Sequence, residues 1–311
     1  MRLVFLGTPA FAVPTLEHMV AAGHEVVEVV TQPDRPRGRG QHLAVSPVKE
    51  AALRLAIPVY QPERVRRPEA QEHLRGLAAE AMVVVGYGQI IPQSVIDMAP
   101  LGIINVHASL LPKYRGAGPI QWAIANGETR TGVTTMRIDA GMDTGEMLLK
   151  AETEIGPDEN AIELGRRLSA MGAELLVRTL DGLAAGTIAG EKQDNDQATY
   201  APLLKKEDGA VDWSRSAQEL HNRVRGLQPW PGAYTAFRGQ TLHLWRTRVV
   251  ESPGTAAPGA VLSTRPLVVQ CGSGCLEMLE VQMEGRKRVP AADFANGQRL
   301  TENETLGEAR A

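Results

Sequence analysis

Asn105-Val106-His107-Ala108-Ser109-Leu110-Leu111-Pro112 follows directly on Leu101-Gly-Ile-Ile104, and this stretch decides how the chain is read. The run from Leu101 to His107 predicts a buried β-strand. Side chains alternate faces along a strand, so Asn105 and His107 point the same way. Ser109-Leu-Leu-Pro112 then turns the chain out of the sheet. Two polar groups on one face, at a strand's carboxyl end, stand where open α/β sheets place their ligands. Asp143, 36 positions beyond His107 in Asp139-Ala-Gly-Met-Asp143-Thr-Gly145, adds a carboxylate.

Outward from this stretch, apolar strands alternate with amphipathic helices as far as about residue 185. Strands are predicted at 3–7, 25–31, 82–86, 102–107, 131–138 and 146–151. Helices are predicted to begin near Pro14, Pro47, Pro68, Pro92 and Ala117, several with proline in the first turn, as in Ser46-Pro47. A longer helix is predicted over 160–183, stopping at Gly186. Alternation of this kind argues a Rossmann-like, mostly parallel sheet with helices on both faces. The polar run Gly190-Glu-Lys-Gln-Asp-Asn-Asp-Gln197 reads as part of a linker. After a helical segment at 216–226, short alternating runs at 241–250 and 266–270 favour a smaller β-rich barrel. The predicted division is 1–187, a linker at 188–206, and 207–311.

At 311 residues, two domains are the natural expectation. No apolar run approaches the ~20 residues of a membrane span, and the first residues read as a strand rather than a signal peptide. Cys271 and Cys275 are too few for a zinc site, and reduced thiols in a cytosolic protein are the expectation. A net charge of −3 announces no nucleic-acid partner, so any such site must be a local patch.

Gly7-Thr-Pro-Ala-Phe and Gly86-Tyr-Gly-Gln-Ile-Ile both lack the Gly-x-Gly-x-x-Gly of a dinucleotide site. No Walker-type loop occurs. Taken singly, Asn105 or His107 reads best as a strand-end residue satisfying nearby backbone. Together with Asp143 they suit transfer of a small acyl group to an amine. An amide N–H and an imidazole can stabilise the tetrahedral oxyanion. A nearby carboxylate favours the imidazolium and can take a proton from the attacking amine, directly or through water. A covalent Ser or Cys mechanism fits less well, because no Gly-x-Ser-x-Gly elbow or cysteine lies near these residues.

Asn105-x-His107-x-Ser-Leu-Leu-Pro-Lys-Tyr-Arg-Gly, with Asp143 in Asp-x-Gly-Met-Asp-Thr-Gly, resembles the signature of the folate-dependent formyltransferases. The similarity continues through Gly7-Thr-Pro-x-Phe, Thr31-Gln-Pro-Asp-Arg-Pro-Arg-Gly-Arg-Gly, Gly86-Tyr-Gly-Gln and Pro229-Trp-Pro-Gly-Ala. As a set these resemble the family members that act on methionyl-tRNA. The resemblance implies 10-formyltetrahydrofolate as co-substrate, no metal, and the α-amino group of initiator methionyl-tRNA as acceptor. It also implies a Rossmann-like catalytic domain followed by an OB-like barrel that helps hold tRNA. By position, Asn105, His107 and Asp143 match the catalytic residues. Gly86, Tyr87, Gly88, Gln89, Ile90, Ser109, Leu110, Leu111, Pro112, Asp139 and Gly141 match the walls of the folate pocket. A cytoplasmic monomer, without membrane contact, is expected.

Two basic segments bear on the acceptor. From Arg35 to Lys49 there are four cationic residues and no acid. Such a run reads either as a solvated loop or, with Arg35, Arg37 and Arg39 spaced by Pro and Gly, as a loop suited to phosphates and base edges. The resemblance places it in the acceptor stem. The window 221–250 carries Arg223, Arg225, Arg238, Arg246 and Arg248 without an acid, which points to phosphate backbone. Its aromatics Trp230, Tyr234, Phe237 and Trp245 read better as barrel core. Lys205 and Lys206 are further tRNA candidates, although Leu203 stands where the family usually has a lysine. Three rival functions stand beside this one: formylation of an amino sugar and hydrolysis of formylfolate, which share the 105–112 and 139–145 motifs, and RNA binding without catalysis, which would use the two basic segments. The first two do not require the arginine loop, and an intact Asn/His/Asp set argues against the third.

Overall fold

The computed structural model describes residues 1–37, 42–251, 256–302 and 304–307. Short Val-, Ile- and Leu-rich runs, buried on both faces, form the central strands of a seven-stranded sheet, as parallel pairing requires, while its two edge strands are partly exposed. In chain order the elements of this half are β1 (Arg2–Gly7), α1 (Val13–Ala21), β2 (Glu25–Val30), a small antiparallel ribbon of β3 (Arg35–Arg37) and β4 (His42–Ala44), α2 (Pro47–Arg54), β5 (Val59–Tyr60), α3 (Pro68–Gly76), β6 (Ala81–Val85), α4 (Gln93–Ile96), β7 (Ile103–His107), α5 (Pro119–Ala125), β8 (Arg130–Arg137), β9 (Met147–Glu154) and α6 (Ala161–Ala184). The strand order is β5-β2-β1-β6-β7-β8-β9. Pairing is parallel from β5 to β7 and antiparallel between β7 and β8.

Alternation along the strands feeds two cores. Leu3 and Phe5 of β1 and Ile104 and Val106 of β7 pack with α1, α2 and α6. Val4, Leu6 and Ile103 face the other way, with Leu74 of α3 and Val95 and Ile96 of α4. Helices therefore cover both faces, as the sequence predicts. On β7, Asn105 and His107 share the face of Ile103 and lie at the strand's carboxyl end.

The remaining elements are α7 (Ala217–Gly226), β10 (Ala233–Phe237), β11 (Gln240–Val250), β12 (Val261–Thr264), β13 (Leu267–Gln270), β14 (Cys275–Met283), β15 (Val289–Pro290) and α8 (Ala291–Gln298). They form an antiparallel sheet ordered β10-β11-β14-β13-β12, with β15 on β14. The C-terminal segment ties the two end strands together. Val261 N–H donates to the Glu304 carbonyl and Gly307 N–H to that of Ala236 in β10, both at 2.9 Å. This joins the ends into a barrel-like closure around Phe237, Leu244, Val269, Leu276 and Phe294. A reciprocal Ser216–Glu219 capping box starts α7.

The chain divides into one unit of residues 1–116, 131–154 and 165–200, and a second of 117–130, 155–164 and 201–311. The predicted block 1–187 is thus interrupted, because α5 belongs with α7. Their approach is close enough that a Cβ at Gly226 would lie 2.7 Å from the Ala125 nitrogen. The predicted linker 188–206 is also divided, at Tyr200, and its first part packs within the first unit. Among the described residues, no helix is long and apolar enough to cross a membrane, and no group of three His, Cys, Asp or Glu side chains could hold a metal.

Candidate active site

His107 is 5% exposed, and its Nε2 lies 2.9 Å from the Tyr114 carbonyl oxygen. A carbonyl only accepts, so Nε2 carries a hydrogen, and Nδ1 is the nitrogen turned toward Asp143. The Nδ1–Oδ2 separation is 3.7 Å. The same Asp143 Oδ2 accepts a 2.8 Å hydrogen bond from Gly116 N–H. Asn105 is partly exposed, and among the described residues its side-chain amide makes no hydrogen bond. An unengaged amide on the same strand face as an imidazole is a ready donor to a developing oxyanion. The structure thus brings His107 and Asp143 together and sets Asn105 two positions back on the same face.

Tyr114 and Asp143, which supply the two partners of His107, both have left-handed backbone, with φ of 60° and 53°. Such conformations cost non-glycine residues of order 1 kcal/mol or more and persist where surroundings impose them. Residues 193–199 impose them here. Thr199 Oγ1 accepts from Tyr114 N–H at 2.9 Å, and the Thr199 carbonyl accepts from Arg115 N–H at 2.8 Å. Gln193 Nε2 donates to the carbonyls of Asp143 and Gly145, each at 2.8 Å. Its Oε1 accepts from Arg115 Nε and Nη2 at 3.0 and 2.8 Å, and Arg115 Nη2 also reaches Asn195 Oδ1 at 2.8 Å. Sequence reading missed Gln193, Asn195 and Thr199, because a polar run without periodicity resembles a solvated linker. Its polar side chains instead satisfy loop backbone.

The residues predicted to wall a folate pocket fall into two groups. Gly86 and Gly88 are exposed with φ of 58° and 84°, backbone that glycine adopts without strain. Ile90 is 92% exposed, and Met142, on the Asp139–Gly141 loop, is 63% exposed. Asp139 shapes that loop: its Oδ1 accepts from Gly141 N–H at 3.0 Å and Thr144 Oγ1 at 2.7 Å. By contrast the side chains of Tyr87, Ser109 and Leu111 are no more than 1% exposed. Ser109 donates to the Lys113 carbonyl, Leu111 packs with Met136 and Met147, and Leu110 lies against Gly132. Pro112 is half-buried. Tyr87, Ser109 and Leu111 therefore buttress the loops and can offer a ligand only main chain. Gln89 is likewise committed, accepting from Val65 N–H at 2.7 Å. Burial also pushes the Tyr87 phenol well above its ordinary pKa.

The basic candidates separate in the same way. Arg35 is exposed at the start of the β3–β4 ribbon; Arg37 ends β3, and Arg39 lies outside the described residues. Asp34, at the base of this ribbon, is held by Lys49 and Gln61, whose hydrogen bonds keep its carboxyl below the ordinary value. Lys205 and Lys206 are exposed. Arg223 donates to the Asp208 carbonyl. Arg225 departs from expectation. It is 8% exposed, with its guanidinium bound to Asn222 Oδ1 and the carbonyls of Gly156 and Glu159. A buried tie of this kind cannot serve as a phosphate contact. Arg246 and Arg248 are exposed but lie in register with Glu280 and Glu277 of β14. The window free of acids in sequence is thus supplied with acids by its neighbouring strand. Arg225 and Arg246 also line a cavity of about 630 Å³ whose wall includes Asp158, Glu159 and Glu163, so its charge is mixed.

Fold and site together define a class. Residues 1–180 match the family model described as formyl transferase, and residues 203–299 match its C-terminal domain. The chain belongs to the formyl transferase family. Within that family it is 76% identical over 308 residues to the methionyl-tRNA formyltransferase of Solibacter usitatus, covering 99% of each chain. It is 53% identical over 311 residues to that of Geobacter sulfurreducens, covering 99% of this chain and 98% of the relative. Among solved structures it resembles HypX from Aquifex aeolicus in complex with tetrahydrofolic acid, with a TM-score of 0.66 at 16% identity. That match covers all of this chain, which spans about half (51%) of HypX. WlaRD, a sugar 3N-formyl transferase solved in the presence of dTDP and 5-N-formyl-THF, gives a TM-score of 0.66 at 17% identity, covering 92% of this chain and 99% of that one. At these identities the likeness is one of fold.

Proposed function

We propose that this chain transfers a formyl group from 10-formyltetrahydrofolate to the α-amino group of initiator methionyl-tRNA, acting as a cytoplasmic monomer. The observation that carries the chemistry is the unengaged Asn105 amide on the face of His107, whose Nδ1 stands 3.7 Å from Asp143 Oδ2. The site fits the donor. The exposed glycine backbone at 86 and 88 and the exposed apolar Ile90 and Met142 suit a flat ring with polar edges, while Asn105 remains available to the formyl oxygen.

The residues divide the work. An ordinary α-amino group has a pKa of ~7.7–8.0, so near neutrality a useful fraction is already a nucleophile. As the new N–C bond forms, Asn105 donates to the formyl oxygen, and His107, whose Nε2–H stays on the Tyr114 carbonyl, meets the developing charge with Nδ1, the nitrogen that faces Asp143. Asp143 accepts the proton that the amine gives up, directly or through water. The bond from the formyl carbon to the donor nitrogen then breaks, and that nitrogen takes a proton back. On the acceptor side, Arg35, Arg37 and Arg39 read the acceptor stem, with Lys205, Lys206 and Arg246 on phosphate.

The test is a formyl-transfer assay with 10-formyltetrahydrofolate against initiator methionyl-tRNA, elongator methionyl-tRNA and a nucleotide-linked amino sugar. Selective formylation of the initiator supports the reading, and replacing Arg37 or Arg39 by alanine should raise KM for tRNA and narrow that preference. Formylation of the amino sugar alone, or release of formate without either acceptor being modified, would overturn it.

A further inference from the structure

Gln193 uses its whole hydrogen-bonding capacity. A side-chain amide offers two N–H hydrogens and two oxygen lone pairs. Here both hydrogens go to main-chain carbonyls of the Asp143 loop, Asp143 and Gly145, at 2.8 Å each. Both lone pairs go to Arg115 Nε and Nη2, at 3.0 and 2.8 Å. Arg115 is 3% exposed and lies between Tyr114, whose carbonyl fixes His107 Nε2, and Gly116, whose N–H fixes Asp143 Oδ2. The arginine also sets which way the glutamine faces. Guanidinium donors can meet only the amide oxygen, which turns the NH₂ to the Asp143 loop. Thr199 completes the arrangement by accepting from Tyr114 N–H at 2.9 Å.

From this geometry we infer that Gln193 and Thr199 are positioning residues for formyl transfer, holding the left-handed backbone of Asp143 and Tyr114 so that carboxylate and imidazole stay aligned. The inference rests on the formyl-transfer reading of the site. It assigns a catalytic consequence to a segment whose sequence looks like a spacer. Displacing a reacting group by about 1 Å can cost on the order of 10²-fold in rate, so a clamp on the loop backbone acts on turnover more than on binding.

Gln193→Glu separates positioning from plain stabilisation. The glutamate keeps both acceptors for Arg115 and adds a charge pair, yet places an oxygen against the Asp143 and Gly145 carbonyls. Measured by melting and by kinetics on saturating folate and methionyl-tRNA, Gln193→Glu should keep the wild-type Tm to within a few degrees. Its kcat should fall on the order of 10²-fold, with KM for both substrates changing far less. Thr199→Val should show the same split of kcat from KM, and Thr199→Ser should restore turnover. A Gln193→Glu enzyme with wild-type kcat would overturn the inference. So would variants, Thr199→Val included, whose activity falls only in proportion to their folded fraction, since that marks a purely structural tie. Failure of the wild-type enzyme to formylate methionyl-tRNA is a different result and would remove the functional reading itself.

Discussion

Arg246 of β11 and Glu280 of β14 occupy paired positions across the antiparallel ladder, with Nη1 and Oε1 3.4 Å apart. The arginine side chain is 65% exposed, so the pair is solvated and weak as a stabiliser. Its consequence is electrostatic: an arginine that faces a carboxylate is partly neutralised before any phosphate arrives.

Binding of tRNA should register that pairing. Glu280→Gln frees Arg246, and Arg288 beside it, and should steepen the slope of log affinity against log salt by up to roughly 1. Arg246→Ala should flatten the slope by less than about 1. Arg225→Ala should leave the slope unchanged and instead lower Tm, because each buried carbonyl left unpaired costs roughly 1–3 kcal/mol. A full unit of flattening in Arg246→Ala, with no response to Glu280→Gln, would show that the arginine meets phosphate unpaired.

Acid should weaken the fold through three histidines. Burial is the largest cause depressing the pKa of His24, His221 and His243 below the ordinary 6.5. His221 is the best defined, with Nδ1 3.1 Å from Thr247 Oγ1 and Nε2 3.2 Å from the Pro157 carbonyl. A depressed histidine stays neutral in the fold while the unfolded chain takes up a proton near 6.5. The unfolded state therefore binds more protons below that value. Stability is full above about 6.5 and declines as pH falls toward the folded pKa, by at most about 1.4 kcal/mol per pH unit for each group. Melting from pH 7.5 down to 5 should show this decline, and His221→Gln should flatten it. A Tm that rises on acidification over that range would contradict the assignment.

A non-reactive formylfolate analogue should protect the first unit against heat and proteolysis through binding linkage, by about 2.7 kcal/mol at a hundredfold excess over Kd. NAD and ATP should not. The negative arm follows from Gly7-Thr-Pro and Gly86-Tyr-Gly, neither of which completes a dinucleotide loop.

Much of this was legible in sequence because burial imposes period. β7 is visible as an apolar run, and alternation by itself puts Asn105 and His107 on one face. Proline in the first turn marked α2 and α3. What escaped has no local signature. β5 is two residues long, and α8 joins the barrel core through only a few side chains, among them Phe294. The neutralising of Arg246 and Arg248 depends on strand register, which brings Glu280 and Glu277 from about thirty positions away. Gln193 looked like a spacer because its partners are backbone carbonyls, and a sequence does not show which carbonyls lack donors. Tyr87, Ser109 and Leu111 follow the carboxyl ends of β6 and β7, where period is lost, and the inward direction of their side chains is set by packing that the sequence does not show.

The central claim, that Asn105, His107 and Asp143 form the reaction centre for formyl transfer, is tested most directly by turnover in Asn105→Ala, His107→Ala and Asp143→Asn at saturating 10-formyltetrahydrofolate and initiator methionyl-tRNA. Loss of one oxyanion donor is worth ~10²–10³-fold in kcat, and loss of a general base such as Asp143 is worth a comparable ~10²–10⁴-fold. The account predicts a loss of that size in each variant, with folate affinity changed far less. Near-normal kcat in all three, in enzyme shown to be folded, would contradict it.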